Sequence, residues 1–145
     1  MSSIDHTESL RTLCNFFETL TLETAQHADR IYARNAYFKD PFNEVHDNQS
    51  IKRLFVHMFE QVHNPRFVIH ESILQGDQAF ITWDMICSFK SWTKGEQRIR
   101  GGTHLKFADD GLVASHRDYW DAAEELYEKL PVLGGFMRLL KKAAG

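Results

Sequence analysis

The sequence predicts an α+β fold in which helices cover one face of a curved, mainly antiparallel sheet. Apolar residues recur at helical spacing as far as Val62, the period switches to two after Pro65, and short turn signals separate the later segments. At 145 residues the chain has the size of one domain, so residues 1–145 are read as a single unit.

The first helix is marked by Leu10, Leu13, Cys14, Phe17 and Leu20, with Asp5 or Thr7 available as a cap. Thr21 restarts the pattern. Leu22, Ala25, Ile31 and Tyr32 predict a second helix that ends at Asn35, and the aromatics and proline of Ala36–Phe42 then predict extended chain. A third helix carries the stripe Ile51, Leu54, Phe55, Met58, Phe59 and Val62 behind the capping candidates Asp47 and Asn48. Four strands follow, at residues 66–74, 79–89, 97–107 and 112–120. Gly76-Asp77, Lys94-Gly95 and Asp110-Gly111 separate them, and connections this short predict a meander. Residues 121–130 resume as a C-terminal helix, broken by Pro131 and Gly134-Gly135. A short apolar and basic segment, residues 136–142, ends in Lys141-Lys142, and docking on the protein's own surface or cavity mouth suits its length.

Composition narrows the function. Hydrophobic residues make up 43%, with 11 Phe, 3 Trp and 4 Tyr, enough apolar surface to exclude a disordered chain. Lys and Arg number 17 against 20 Asp and Glu, a dispersed net charge of −3 that gives no nucleic-acid footprint. No apolar run is long enough to span a membrane and the N-terminus has no signal-peptide pattern, so a cytoplasmic protein is expected. The two cysteines, Cys14 and Cys87, lie in apolar stretches and are expected as reduced thiols. Eight histidines show no helical zinc spacing, and Gly101-Gly102 sits in a strand, where a bulge or tight curvature explains it better than a phosphate loop. No cofactor and no metal are expected, although Asp40, His116 and Asp118 would form a mixed nitrogen and oxygen site if they met.

Side-chain alternation locates the candidate site. Ile99, Gly101, Thr103, Leu105 and Phe107 share one face, with Arg98, Arg100 and His104 on the other. In the preceding strand Ile81, Trp83, Met85, Cys87 and Phe89 form the apolar parity, and Asp84 faces outward. In the last strand Leu112, Ala114 and Trp120 share a parity with His116 and Asp118, two ionisable groups that break an apolar face. Two readings of that break stand: a buried pair satisfied by its own hydrogen bond, or a ligand-binding or catalytic pair. The opposite parity, with Val113, Ser115, Arg117 and Tyr119 inward, would bury Arg117.

The segments 32–42, 105–112 and 116–121, which contain Tyr32-Ala-Arg-Asn-Ala-Tyr-Phe-Lys-Asp-Pro-Phe42 and His116-Arg-Asp-Tyr-Trp-Asp121, resemble the nuclear transport factor 2-like superfamily, close to SnoaL-like and ketosteroid-isomerase-like proteins. The resemblance covers nearly the whole chain. It implies a cone-shaped α+β barrel with an apolar pocket, paired as a homodimer through the outer sheet face. That face carries Phe80, Ile86, Arg98, Arg100 and His104; its arginines and Arg117 suit an anion or acidic residues across a dimer. In the isomerases an Asp-Pro supplies the base, which carries over to Asp40. Their oxyanion hole uses a tyrosine in the first helix and a protonated aspartic acid in the sheet, whereas Phe16 and Phe17 stand at the first position here and Thr103 at the second. His116 or Tyr119 is left to supply a donor.

These readings converge on a pocket for a small apolar molecule, walled by Phe16, Phe17, Phe55, Phe59, Trp83, Met85, Thr103 and Trp120. Asp40 is the expected general base, with His116, oriented by Asp118, as a second proton carrier. The protein is expected to be an isomerase-, hydrolase- or dehydratase-type enzyme, or else a non-catalytic ligand-binding or regulatory module of the same fold.

Overall fold

The computed structural model of the protein describes residues 4–90 and 95–125. Helix α1 spans Thr7–Glu18 and buries Leu10, Leu13, Phe16 and Phe17. Its start is held by Asp5, whose carboxylate accepts from the backbone N–H and the hydroxyl of Thr7 at 2.9 and 2.6 Å. Helix α3, Asn48–Gln61, begins at Asp47, whose side chain accepts the Ser50 N–H at 2.7 Å, and it buries Ile51 and Phe55.

The second helix is shorter than the sequence predicts. Thr21 and Thr24 form a reciprocal capping box, but α2 runs only through Leu22–Ala25 and is followed by a 3-10 turn at Ala28–Arg30. Strand β1 then starts at Tyr32, inside the expected helix, and continues to Lys39. Pairing across the sheet overrides the local helical spacing: β1 lies parallel to the last strand, with Tyr32 opposite Val113 and Phe38 opposite His116.

The sheet has six strands, the others being β2 (Glu44–Val45), β3 (Val62–Gln75), β4 (Gln78–Phe89), β5 (Gln97–Phe107) and β6 (Val113–Tyr119), in the order β2-β1-β6-β5-β4-β3. Strands β3 to β6 form the expected antiparallel meander. The two-residue turn between β3 and β4 places Gly76 at φ +62°, a left-handed conformation glycine adopts without a Cβ penalty. Strand β3 begins four residues before the predicted one, directly from the end of α3.

Inside the cone, α1 and α3 pack on the concave sheet face. Leu13, Tyr32, Ile51, Ile81, Leu105 and Val113 are sealed from solvent. Val113 rather than Ala114 points inward because the β5–β6 register shifts at Phe107, a bulge that lets both Val113 and His116 face the core. Gly101 and Gly102 mark close approach rather than a bulge. A Cβ at Gly101 would run into the Trp83 ring, and one at Gly102 would lie 2.8 Å from the Phe80 ring on the opposite face.

On the outer face Asp84 is largely buried, paired with Arg98 and lying 3.2 Å from His70. Arg100 meets Glu125 at 2.6 Å and Glu124 at 3.2 Å from the short helix α4, Ala122–Glu125. Arg117 lies 5.0 Å from the Tyr119 ring centre. These three arginines thus have partners within the chain, where the sequence had left them for an anion or an acidic partner. Cys14 and Cys87 are both free thiols, and no helix among the described residues is long and apolar enough to cross a membrane. The rest of the expected C-terminal helix, the segment 131–145 and Lys94 of the β4–β5 connection lie outside the described residues.

Candidate functional site

Strand β1 ends in a turn built around Asp40. Its Oδ1 accepts the backbone N–H groups of Phe42 and Asn43 at 2.8 and 2.6 Å, while its own N–H donates to the Asn43 carbonyl at 2.9 Å. The Asn43 amide adds a bond to each carboxylate oxygen at 3.2 Å. Because β1 and β6 are parallel with Lys39 opposite Arg117, the next residues along, Asp40 and Asp118, arrive side by side at the same end of the sheet.

Asp118 belongs to a buried hydrogen-bonded chain. Its Oδ1 lies 2.7 Å from Nε2 of His116 and accepts the Thr103 hydroxyl at 2.7 Å. Trp83 donates its indole N–H to the Thr103 oxygen at 2.8 Å, and the Tyr32 hydroxyl lies 2.8 Å from Nδ1 of His116. Phe17 and Phe38 pack their rings against the imidazole, Phe38 at 4.5 Å between centres. The two readings of the pattern break therefore combine: His116 is a satisfied buried residue, and Asp118, its partner, reaches the cavity.

That cavity, about 240 Å³, opens between α3 and the concave face of the sheet. Asp40, His116, Asp118 and Thr103 line it, so the two expected carboxylates and the imidazole meet at one cavity. Phe17, Phe55, Trp83, Met85 and Trp120 supply walls as the sequence predicts. Phe16 and Phe59 do not line it. The Phe16 ring turns aside to pack edge-on against Phe17 and Phe55, at 5.7 and 6.0 Å between centres, and Phe59 packs part-buried against the core. Sequence reasoning missed Phe38, Phe42 and Phe67 as walls, and missed Tyr32 as the partner of His116. Assigning Tyr32 to a helix hid it; its place in an aromatic, β-prone run was the available signal.

Burial raises the Asp40 carboxyl above its ordinary 3.8, opposed by the bonds from Phe42 and Asn43 and reinforced by the negative charge of Asp118. Burial likewise raises the Tyr32 phenol well above its usual range, so it remains a hydroxyl donor. Among the described residues no group of three or more His, Cys, Asp or Glu side chains is placed to hold a metal ion.

The SnoaL-like domain family matches residues 14–116, most of the chain, from within α1 to the middle of β6. The chain belongs to the SnoaL-like domain family. Solved structures agree on its architecture. An LEH-like epoxide hydrolase from M. tuberculosis superimposes with a TM-score of 0.70 at 18% identity, covering 92% of this chain and 96% of that one. A hypothetical protein with a ketosteroid isomerase-like fold from Catenulispora acidiphila, crystallised with trimethylamine, gives a TM-score of 0.72 at 13% identity over 83% and 90% of the two chains. An NTF2-like protein of unknown function from Burkholderia pseudomallei gives 0.68 at 15%, over 86% and 95%. At such identities the likeness establishes the cone fold of this SnoaL-like protein. No curated protein matches it.

Proposed function

We propose that this SnoaL-like protein is a cofactor-free acid–base enzyme of isomerase, hydrolase or dehydratase type, acting on a small apolar molecule held in the cone. The observation that carries the reading is the presence of Asp40 and Asp118 together in a largely apolar cavity. Two carboxylates in one low-dielectric site do not ionise equally, and a buried carboxyl whose proton affinity is raised is suited to moving a proton near neutral pH.

Roles divide by contact. Asp40 is the general base, consistent with its place at the Asp-Pro turn. Asp118 faces the ligand as the second proton-handling group. His116, with both ring nitrogens engaged and almost no exposure, positions Asp118 and steadies its carboxylate by a hydrogen bond rather than meeting substrate itself. The protein is proposed to act as a cytoplasmic homodimer through the outer sheet face, where Ile73 and Phe80, cross-strand partners, stand exposed beside His104.

A turnover screen of small apolar ketones, esters and alcohols, with Asp40→Asn alongside, tests the assignment. Loss of a positioned acid or base lowers the rate by about two orders of magnitude or more, with the fold intact. Full activity in Asp40→Asn removes the base assignment. Ligand binding without turnover of any compound would favour a binding module.

A further inference from the structure

We infer that the cavity selects a small apolar molecule bearing a hydroxyl-type hydrogen-bond donor, which the unshared oxygen of Asp118 accepts. The inference deepens the acid–base reading and rests on it.

Hydrogen-bond direction supplies the argument. The Trp83 indole N–H can only donate, so Thr103 accepts it and turns its own hydrogen to Asp118 Oδ1. At the other end the Tyr32 hydroxyl is buried, and its hydrogen has His116 Nδ1 as its acceptor. Reversing that bond would strand the phenol hydrogen in the core, a loss buried polar groups rarely sustain. His116 therefore carries its hydrogen on Nε2 and donates it to Asp118 Oδ1. Both donors converge on that one oxygen, while Oδ2 of Asp118 has no hydrogen-bond partner among the described residues.

Asp40 repeats the arrangement. Its Oδ1 takes two backbone N–H groups and the Asn43 amide, leaving Oδ2 with a single 3.2 Å bond. Among the other polar walls the Thr103 hydroxyl and the Asn43 amide are committed, and Gln61 and His57, on α3, bond each other at 3.0 Å; the donors left over, the Trp120 indole N–H and the second amide hydrogen of Gln61, are not bonded to Asp118. At Asp118 the ligand thus meets an acceptor. One that brings an O–H completes Asp118, whereas one that brings only an ether or carbonyl oxygen desolvates that carboxylate without pairing it. A site built to bond a ligand hydroxyl rejects the analogue that lacks it.

Isothermal titration calorimetry of the intact protein with 2-naphthol and 2-methoxynaphthalene at pH 7 tests this directly, because the two share an apolar body and differ in the donor. We expect 2-naphthol to bind at least about tenfold more tightly, about 1.4 kcal/mol. In Asp118→Asn the amide oxygen keeps the Thr103 and His116 bonds and the amide N–H faces the ligand, so the preference should vanish or reverse. Equal affinities in the unaltered protein overturn the inference while leaving the apolar cavity standing, and this comparison needs no variant to fold. A naphthol preference that survives Asp118→Asn overturns the assignment to Asp118. Binding of neither compound overturns the cavity reading and the inference together.

Discussion

The Tyr32 hydroxyl lies 2.8 Å from Nδ1 of His116, a buried contact that joins the first residue of β1 to the middle of β6, 84 positions later in the chain. It ties the parallel strand pair together at the point where the register of β1 and β6 shifts. Local structure and site geometry therefore depend on the same bond.

Tyr32→Phe should accordingly destabilise the protein by about 1–3 kcal/mol, the usual consequence of leaving a buried hydrogen-bonding group without its partner. The loss exceeds that of a surface hydroxyl because His116 Nδ1, sealed from water, has no replacement. Urea unfolding of the two proteins measures it, and a difference within a few tenths of a kcal/mol would show that the bond contributes nothing.

The Trp83 ring, which hydrogen-bonds Thr103 through its indole N–H, rests against the bare backbone of Gly101. Gly101→Ala should force the indole away and loosen the Thr103 bond. Overpacking of this kind costs about 1–3 kcal/mol, and the displaced ring also enters the cavity. Thermal unfolding and ligand titration should fall together. A Gly101→Ala protein with unchanged stability and unchanged tryptophan emission would contradict the close approach.

Much of this was legible in the sequence because it is local. The stripe of α3, the capping role of Asp47 and the alternation of β4 and β5 follow from side-chain periodicity, and each element appears at or within a few residues of its expected place. The polar break at His116 and Asp118 was visible for the same reason. What could not be read was set by partners distant in the chain. The helical spacing that begins at Leu22 is realised only through Ala25 and the 3-10 turn at Ala28–Arg30, and the parallel pairing with β6 makes Tyr32 a strand residue. The bulge at Phe107 decides that Val113 faces inward, and no feature of the single strand announces it. Phe16 and Phe17 differ only by the rotation of α1, so sequence alone cannot say which ring enters the cavity.

Dimerisation through the outer sheet face makes a separate prediction. Ile73 is 60% exposed and Phe80, its cross-strand partner, 38%, an apolar pair in the open with His104 next to Phe80 on β5. Sedimentation at tens of micromolar protein should give a dimer, a range in which even a modest interface associates. Ile73→Glu should shift the protein toward monomer without unfolding it. A monomeric unaltered protein in that range would remove the outer face as the contact.

Asp40 yields the prediction that most sharply separates function from stability. Its carboxyl is raised above 3.8 first by burial, so the folded protein holds the proton more tightly than the unfolded chain does. As pH rises from 3.8 through the raised folded value, the unfolded state has already lost its proton, and folding stability falls across that window. Above the window the penalty is constant; below 3.8 it is absent. Asp40→Asn keeps an amide oxygen for the Phe42 and Asn43 N–H groups and carries no charge to desolvate or to repel Asp118. At pH 7 the variant should therefore be at least as stable as the parent, and its relative stability should decline when both are unfolded near pH 3. Activity should move the other way, falling about a hundredfold or more. Urea unfolding at the two pH values, run beside the rate measurement, checks both halves. A variant less stable than the parent at pH 7 by the same margin as at pH 3 would mean that the turn's hydrogen bonds, not the buried charge, govern this position.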